Sequence, residues 1–287
     1  MREGLDQLPA SGGAPIDPAL SHALSGPRIN RQNMACDFAP ALGWKARIGM
    51  IVLATDHTIE FEWRQIMDAA ARLHGSSDAI ALYAARILNV PSITPESLRD
   101  MESRIALTAD LLLPGMPFDV IAYGCTSASM LIGTDRVRAR VHETRPGVAV
   151  TDPVTAACAA FEALGVQRLA MLTPYIAPIN DQLRRGFMTR GIDIPVMGSF
   201  NVEDDNLAAR ASSQSLINAA MELGSDSQVD GVFISCTSIR LTDTVSELEA
   251  ALGKPVLSSN LAMAWHTLRL AGITDPVPGF GRLFQGA

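Results

Sequence analysis

From Arg47 onward the chain alternates between two hydrophobic rhythms. Short apolar runs at 48–53, 79–84, 120–124, 148–150, 168–172, 196–200, 231–235 and 255–257 read as buried strands. Between them, apolar residues return at helical spacing. In 59–73, for example, Ile59, Trp63, Ile66, Met67 and Ala70 fall on one face. The same spacing predicts helices at 95–113, from Ser127 onward, and at 152–164, 180–190, 212–223, 242–252 and 260–270. Punctuation agrees with these limits. Asp56 or Thr58 can cap the first helix, Pro95 suits a first turn, and Asp152 and Gly165 bracket the helix between them. Residues 203–206 (Glu-Asp-Asp-Asn) read as a polar loop.

Strands alternating with helices at this spacing predict parallel βαβ units and an α/β fold. The plan occurs twice. The expectation is two pseudo-twofold-related Rossmann-like lobes, each a parallel sheet flanked by helices, with the active site in the cleft between them. Residues 46–150 form the first lobe and 151–287 the second, with the final helix a candidate to pack back on the first. Residues 1–45, rich in Gly, Pro, Ser and Ala, show no periodicity and read as a flexible N-terminal extension.

Within this plan one phrase is repeated. Asp119-Val-Ile-Ala-Tyr-Gly-Cys125-Thr126-Ser127 is matched by Asp230-Gly-Val-Phe-Ile-Ser-Cys236-Thr237-Ser238. Only 4 cysteines exist in the chain, so two in matching contexts point to a pair with a shared task. Ligands of open α/β sheets sit beyond the carboxyl ends of the strands, where both cysteines would stand. A helix N-terminus after each would lower the thiol pKa. Two thiols facing one substrate carbon could act as opposed acid and base, a racemase or epimerase chemistry that needs no cofactor. Thr126, Ser127, Thr237 and Ser238, with the local N–H groups, could bind a carboxylate and steady its enediolate. The same parts allow one thiolate to add to an activated double bond and so drive a cis–trans isomerisation. A third reading keeps the cleft for binding alone. Asp56 and His57 stand at the tip of the first strand, and Tyr175 and Asn206 are further candidates for contact with substrate. Asp119 and Asp230 read as capping groups rather than catalysts.

Composition narrows the field. A net charge of −7 argues against a nucleic-acid surface, and no apolar stretch is long enough to span a bilayer. The first residues lack the basic and apolar regions of a signal peptide. Cys36, Cys125, Cys158 and Cys236 are too far apart for a zinc site, and free thiols suit a reducing cytoplasm. The histidines are scattered, and no G-x-G-x-x-G or P-loop is present. No metal or organic cofactor is expected.

Several phrases taken together resemble the aspartate/glutamate racemase superfamily, in the branch of maleate isomerase and arylmalonate decarboxylase. They are residues 47–58 (Arg-Ile-Gly-Met-Ile-Val-Leu-Ala-Thr-Asp-His-Thr), Tyr123 to Ser129, Leu172-Thr-Pro-Tyr175, Glu203 to Asn206, Ile234 to Arg240 and Ser259 to Trp265. Within the branch the phrases are most similar to the ectoine utilization (EutA) group. The resemblance implies a two-lobed fold, a small carboxylate-bearing substrate, a homodimer, and no metal or organic cofactor. It carries the paired cysteines onto Cys125 and Cys236, substrate contacts onto Tyr175 and Asn206, and carboxylate contacts onto Thr126, Ser127, Thr237 and Ser238. Maleate isomerase has Asn at the tip of the first strand, where this chain has Thr55-Asp56-His57. An acid there would repel a second carboxylate and favour a substrate with a cationic nitrogen. Arylmalonate decarboxylase has Gly at the first cysteine position, so keeping Cys125 favours racemisation over decarboxylation.

Overall fold

The computed structural model describes residue 29 and residues 31–286. By its contacts the chain divides into Met1–Pro40 and Ala41–Ala287. Of the first unit, the described residues are exposed and form neither helix nor strand. Residues 1–28, most of the stretch read as an extension, lie outside the described residues.

The second unit carries two four-stranded parallel sheets flanked by helices. β1 (Ala46–Leu53) lies between β2 (Ile80–Ile87) and β3 (Val120–Gly124), and β4 (Ala149–Thr151) follows β3 at the edge. The second sheet repeats that order: β5 (Arg168–Thr173) lies between β6 (Asp193–Ser199) and β7 (Gly231–Ile234), with β8 (Val256–Ser258) beyond β7. β3 and β7 are apolar at almost every position because both sheet faces are covered.

The helices follow in chain order. α1 (Ile59–Leu73) is capped by Asp56, whose carboxylate accepts the N–H groups of Thr58 and Ile59. The predicted helix over 95–113 is broken. α2 (Pro95–Asp100) passes into a 3-10 turn at Met101–Arg104 and then α3 (Ile105–Asp110). α4 (Thr126–Ile132) and α5 (Thr134–His142) complete the first sheet's cover. α6 (Pro153–Leu164) starts at Asp152, which accepts two backbone N–H groups, and stops at Gly165, whose φ of 67° is one that glycine adopts freely. α7 (Ala177–Met188) is offset from its predicted limits because Pro178 sits in its first turn. The predicted loop at 203–206 instead opens a short helix, α8 (Asp205–Ala208), capped by the Asp204 side chain. α9 (Ser213–Gly224), α10 (Val245–Leu252) and α11 (Ser259–Leu270) finish the chain.

One apolar core is shared by both sheets. Phe161, Phe187 and Phe233 meet edge to face under the second sheet, with Phe161 and Phe233 centroids 5.3 Å apart. The final helix ties the halves together. α11 packs on α6, α1, β3 and β4 as well as on β8, and His266 on it bonds the Thr151 hydroxyl at 2.8 Å. No helix among the described residues is long and apolar enough to cross a membrane.

Candidate active site

Each cysteine is delivered by a strand whose start is clamped in the same way. Asp119 accepts the Arg47 N–H at 2.7 Å and donates its own N–H to the Arg47 carbonyl. Asp230 accepts the N–H groups of Arg168 and Gln167 and donates to the Arg168 carbonyl. The repeated aspartates therefore fasten the starts of paired strands, far from the strand tips. At those tips Cys125 and Cys236 line one common cavity, each 3% exposed. Gly124 is required beside the first thiol. A Cβ there would come within 2.9 Å of Ile59 Cδ1 and 3.1 Å of the Ile51 carbonyl.

The cavity is shut. It has about 20 Å³ for the centre of a water-sized sphere, room for roughly one water. Its outer wall is the segment from Asn89 to Met101, which brings Ile93 and Leu98 over the thiols. That segment is strapped to the one preceding α8. Ile93 N–H donates to the Glu203 carbonyl, Asp205 N–H donates to the Pro91 carbonyl, and Ser92 forms an antiparallel bridge with Asp204.

The two thiols have different neighbours. Cys125 is the residue before α4, within reach of the Ala128 N–H and 3.7 Å from the Ser127 hydroxyl. Cys236 accepts the Ser238 N–H at 3.4 Å and bonds the Tyr175 hydroxyl. No helix begins at Cys236: residues 237–244 form an irregular loop before α10. The expectation that a helix dipole lowers both thiol pKa values is corrected on two counts. Cys236 has no helix to supply a dipole, and burial pushes the Cys125 thiol up to about 12 and the Cys236 thiol up likewise. Among the charged groups that add to this rise, Asp205 ranks first for both thiols.

The irregular loop after Cys236 is held by α1 and α11. Glu62 on α1, fully buried, accepts the N–H groups of Leu241 and Thr242, the Thr242 hydroxyl and the Asn260 side-chain amide. That Asn260 amide also donates to the Thr237 carbonyl, and the Thr58 hydroxyl donates to the Ser238 carbonyl at 2.8 Å. Residues from the first half of the chain thus fix the second thiol.

Of the residues singled out in the sequence, Cys125, Ser127, Tyr175, Cys236, Thr237 and Ser238 line the cavity together. Three do not. Thr126 is buried, but its hydroxyl donates to Ser259 at the start of α11. Asn206 turns outward and pairs with His57 Nε2 at 2.9 Å, which leaves both away from the thiols. Asp56 lies behind the lining, where it caps α1. Burial pushes its carboxyl up to about 7, against the pull of the Ile59 and Thr58 amides and the Thr237 hydroxyl. In this position one of its oxygens caps α1.

The residue the sequence reading missed is Asp205. It lies in the acidic run 203–206, beside the Asn206 that was chosen, and it faces inward while Asn206 faces outward. Its Oδ1 accepts the Ser238 hydroxyl at 2.8 Å and its Oδ2 accepts the Thr55 hydroxyl. Asn89 holds Thr55 in turn through its amide at 2.8 Å. An unbroken acidic run beginning with a capping pattern was the available signal.

Comparison with known proteins bears on the family and the fold. The arylmalonate decarboxylase family model matches residues 70–284. Maleate isomerase of Pseudomonas putida is 27% identical over 251 residues, covering 84% of this chain and 98% of that protein. Arylmalonate decarboxylase of Bordetella bronchiseptica is 35% identical over 144 residues, covering 48% of this chain and 59% of that protein. Among solved structures, a cysteine-to-serine mutant of Nocardia farcinica maleate cis-trans isomerase with a covalently bound succinylcysteine intermediate superposes with a TM-score of 0.75 at 25% identity, covering 84% of this chain and 99% of that one. The shared fold and the family match, which takes in both cysteine strands, lead to one conclusion: the chain is an enzyme and belongs to the arylmalonate decarboxylase family, in the branch that holds the maleate isomerases.

Proposed function

We propose that this enzyme is a racemase or epimerase that moves a proton between the two faces of a carbon next to a carboxylate, using Cys125 and Cys236 as opposed base and acid. One observation carries the reading: two thiols, each from its own sheet, share a single narrow cavity. One cysteine, as thiolate, takes the α-proton. The electron pair moves onto the carboxylate to give an enediolate, supported by the Ser127 hydroxyl and nearby N–H groups. The opposite thiol returns a proton to the other face, and the enzyme is left with the protonation of its two cysteines exchanged. Burial leaves little thiolate at neutral pH but makes each thiolate a stronger base, which suits a weakly acidic carbon. The substrate we propose is an ectoine or hydroxyectoine derivative, on the similarity of the motifs to the ectoine utilization group.

A second reading is favoured by the succinylcysteine in the Nocardia farcinica relative. One thiolate would add to a maleate-like double bond, permit rotation, and leave. Solvent deuterium exchange, followed by NMR, separates the two. The panel is hydroxyectoine, its ring-opened diaminobutyrate derivatives, aspartate, glutamate and maleate. Deuterium entering the α-carbon with loss of chirality, and a loss of roughly a thousandfold in Cys125→Ala and in Cys236→Ala, is the expected result. Conversion of maleate with a cysteine adduct seen by mass spectrometry would replace it with the second reading. Tight binding without exchange, kept when both thiols are removed, would make the cleft a binding site only.

A further inference from the structure

The wall of the thiol cavity is almost free of charge. Among the described residues it includes no arginine, lysine or histidine, and a single acid, Asp205. That carboxylate is 3% exposed. Both of its oxygens are held by neutral hydroxyls, Oδ1 by Ser238 and Oδ2 by Thr55, which aim the group without balancing its charge. The nearest cation-forming side chain whose charge it feels, His57, is exposed on the outer side and bonded to Asn206. Burial raises the Asp205 carboxyl above its ordinary value, and a cation arriving beside it would favour the ionised form. The protein supplies no such cation in the cavity, which leaves the ligand to bring it.

We propose that Asp205 determines specificity by receiving a cationic nitrogen of the substrate, an ammonium or amidinium, so that the enzyme takes amino acids or cyclic amidine acids and rejects simple dicarboxylates. This rests on the isomerase reading of the paired thiols. The substrate carboxylate would lie on the Ser127 side of the cavity, and the nitrogen against Asp205. The two ends bind groups of opposite charge, so a dicarboxylate cannot satisfy both. A second carboxylate would meet a like charge where water cannot screen it. The same placement links recognition to chemistry. Asp205 is the first charged group opposing thiolate formation at both cysteines. A substrate cation paired with Asp205 offsets that opposition, so the thiolate is favoured when the right ligand is in place.

The test uses the full chain with two probes, 2,4-diaminobutyrate and maleate, measured by titration calorimetry and by solvent deuterium exchange. Wild type is expected to bind and exchange the diamino acid and to bind maleate at least about a hundredfold more weakly, the scale set by burying one unpaired charge. Asp205→Asn keeps the shape and one of the two acceptors while removing the charge, and it should reverse that preference. A wild type that prefers maleate, or binds neither probe, overturns the proposal. So does an Asp205→Asn protein that is folded by its melting curve yet keeps the wild-type preference. If Asp205→Asn does not fold, the wild-type preference decides. Calorimetry on the Cys125→Ala, Cys236→Ala protein separates the two claims. Charge preference retained there with no exchange by wild type would sustain the role of Asp205 and remove the isomerase reading. Exchange by wild type with maleate preferred would do the reverse.

Discussion

The two cysteine strands are alike up to the thiol and unlike beyond it. Both β3 and β7 start at an aspartate that clamps the neighbouring strand, and both occupy the same place in their sheets. Met50 pairs with Ala122 and Met171 with Phe233, and each cysteine lies three residues further along its strand. By the same count Ala54 occupies in the first half the place that Tyr175 occupies in the second. Cys236 therefore has a phenol beside it, where Cys125 has only a methyl group at the matching position. Cys125 leads straight into α4, whereas the loop after Cys236 relies on Glu62, Asn260 and Thr58. The repeat brings two thiols to one point. The elements around them, several drawn from the opposite half, make the two thiols chemically distinct.

The comparison is broken most severely at Glu62. Glu62→Ala leaves the Leu241 and Thr242 amides buried without an acceptor and should cost about 3 kcal/mol or more, read as a lower urea midpoint. Activity should fall further than stability explains, because the Cys236 loop loses its support while the Cys125 turn keeps its own. Unchanged kinetics in the folded variant would mean that the loop holds itself. Tyr175→Phe is gentler. It should slow turnover roughly tenfold and raise the primary deuterium isotope effect only for the enantiomer whose proton goes to Cys236. An equal rise for both enantiomers would contradict the division of labour.

The smallest effect on activity is expected at Asp56, which holds the tip of β1. Its carboxyl is raised from 3.8 to about 7, so between those values the folded protein keeps a proton that the unfolded chain has shed. Stability then falls as pH rises through that window. Asp56→Asn should flatten the fall between pH 4 and 8 by on the order of 4 kcal/mol, followed by denaturant titration at several pH values. KM should stay where it was, since Asp56 caps α1. A large rise in KM would return the residue to substrate contact.

Much of this architecture was legible in the sequence because it is local. Apolar runs gave the strands, and the repeated Cys-Thr-Ser phrase gave the two tips, since both depend on residues adjacent in the chain. What was not legible depends on distant partners. Nothing within residues 203–206 says that Asp205 turns inward and Asn206 outward. That is decided by the Pro91 carbonyl, Thr55 and His57, all far away in sequence. Thr126 looked like the twin of Thr237, but Ser259 claims its hydroxyl. The thiol pKa values failed for a related reason. A local dipole can be read from adjacent residues, whereas desolvation depends on everything that closes over the site, and here it outweighs the dipole.

The strap between residues 89–101 and 203–205 has a kinetic consequence. A ligand entering past residues 89–101 would part the Ser92–Asp204 bridge and the Asp205–Pro91 bond, which are anchored on the very segment that carries Asp205. The latch and the grip are thus one piece. A ligand that holds Asp205 more firmly also holds the door, so tighter recognition lengthens residence time and lets product escape set the pace of turnover.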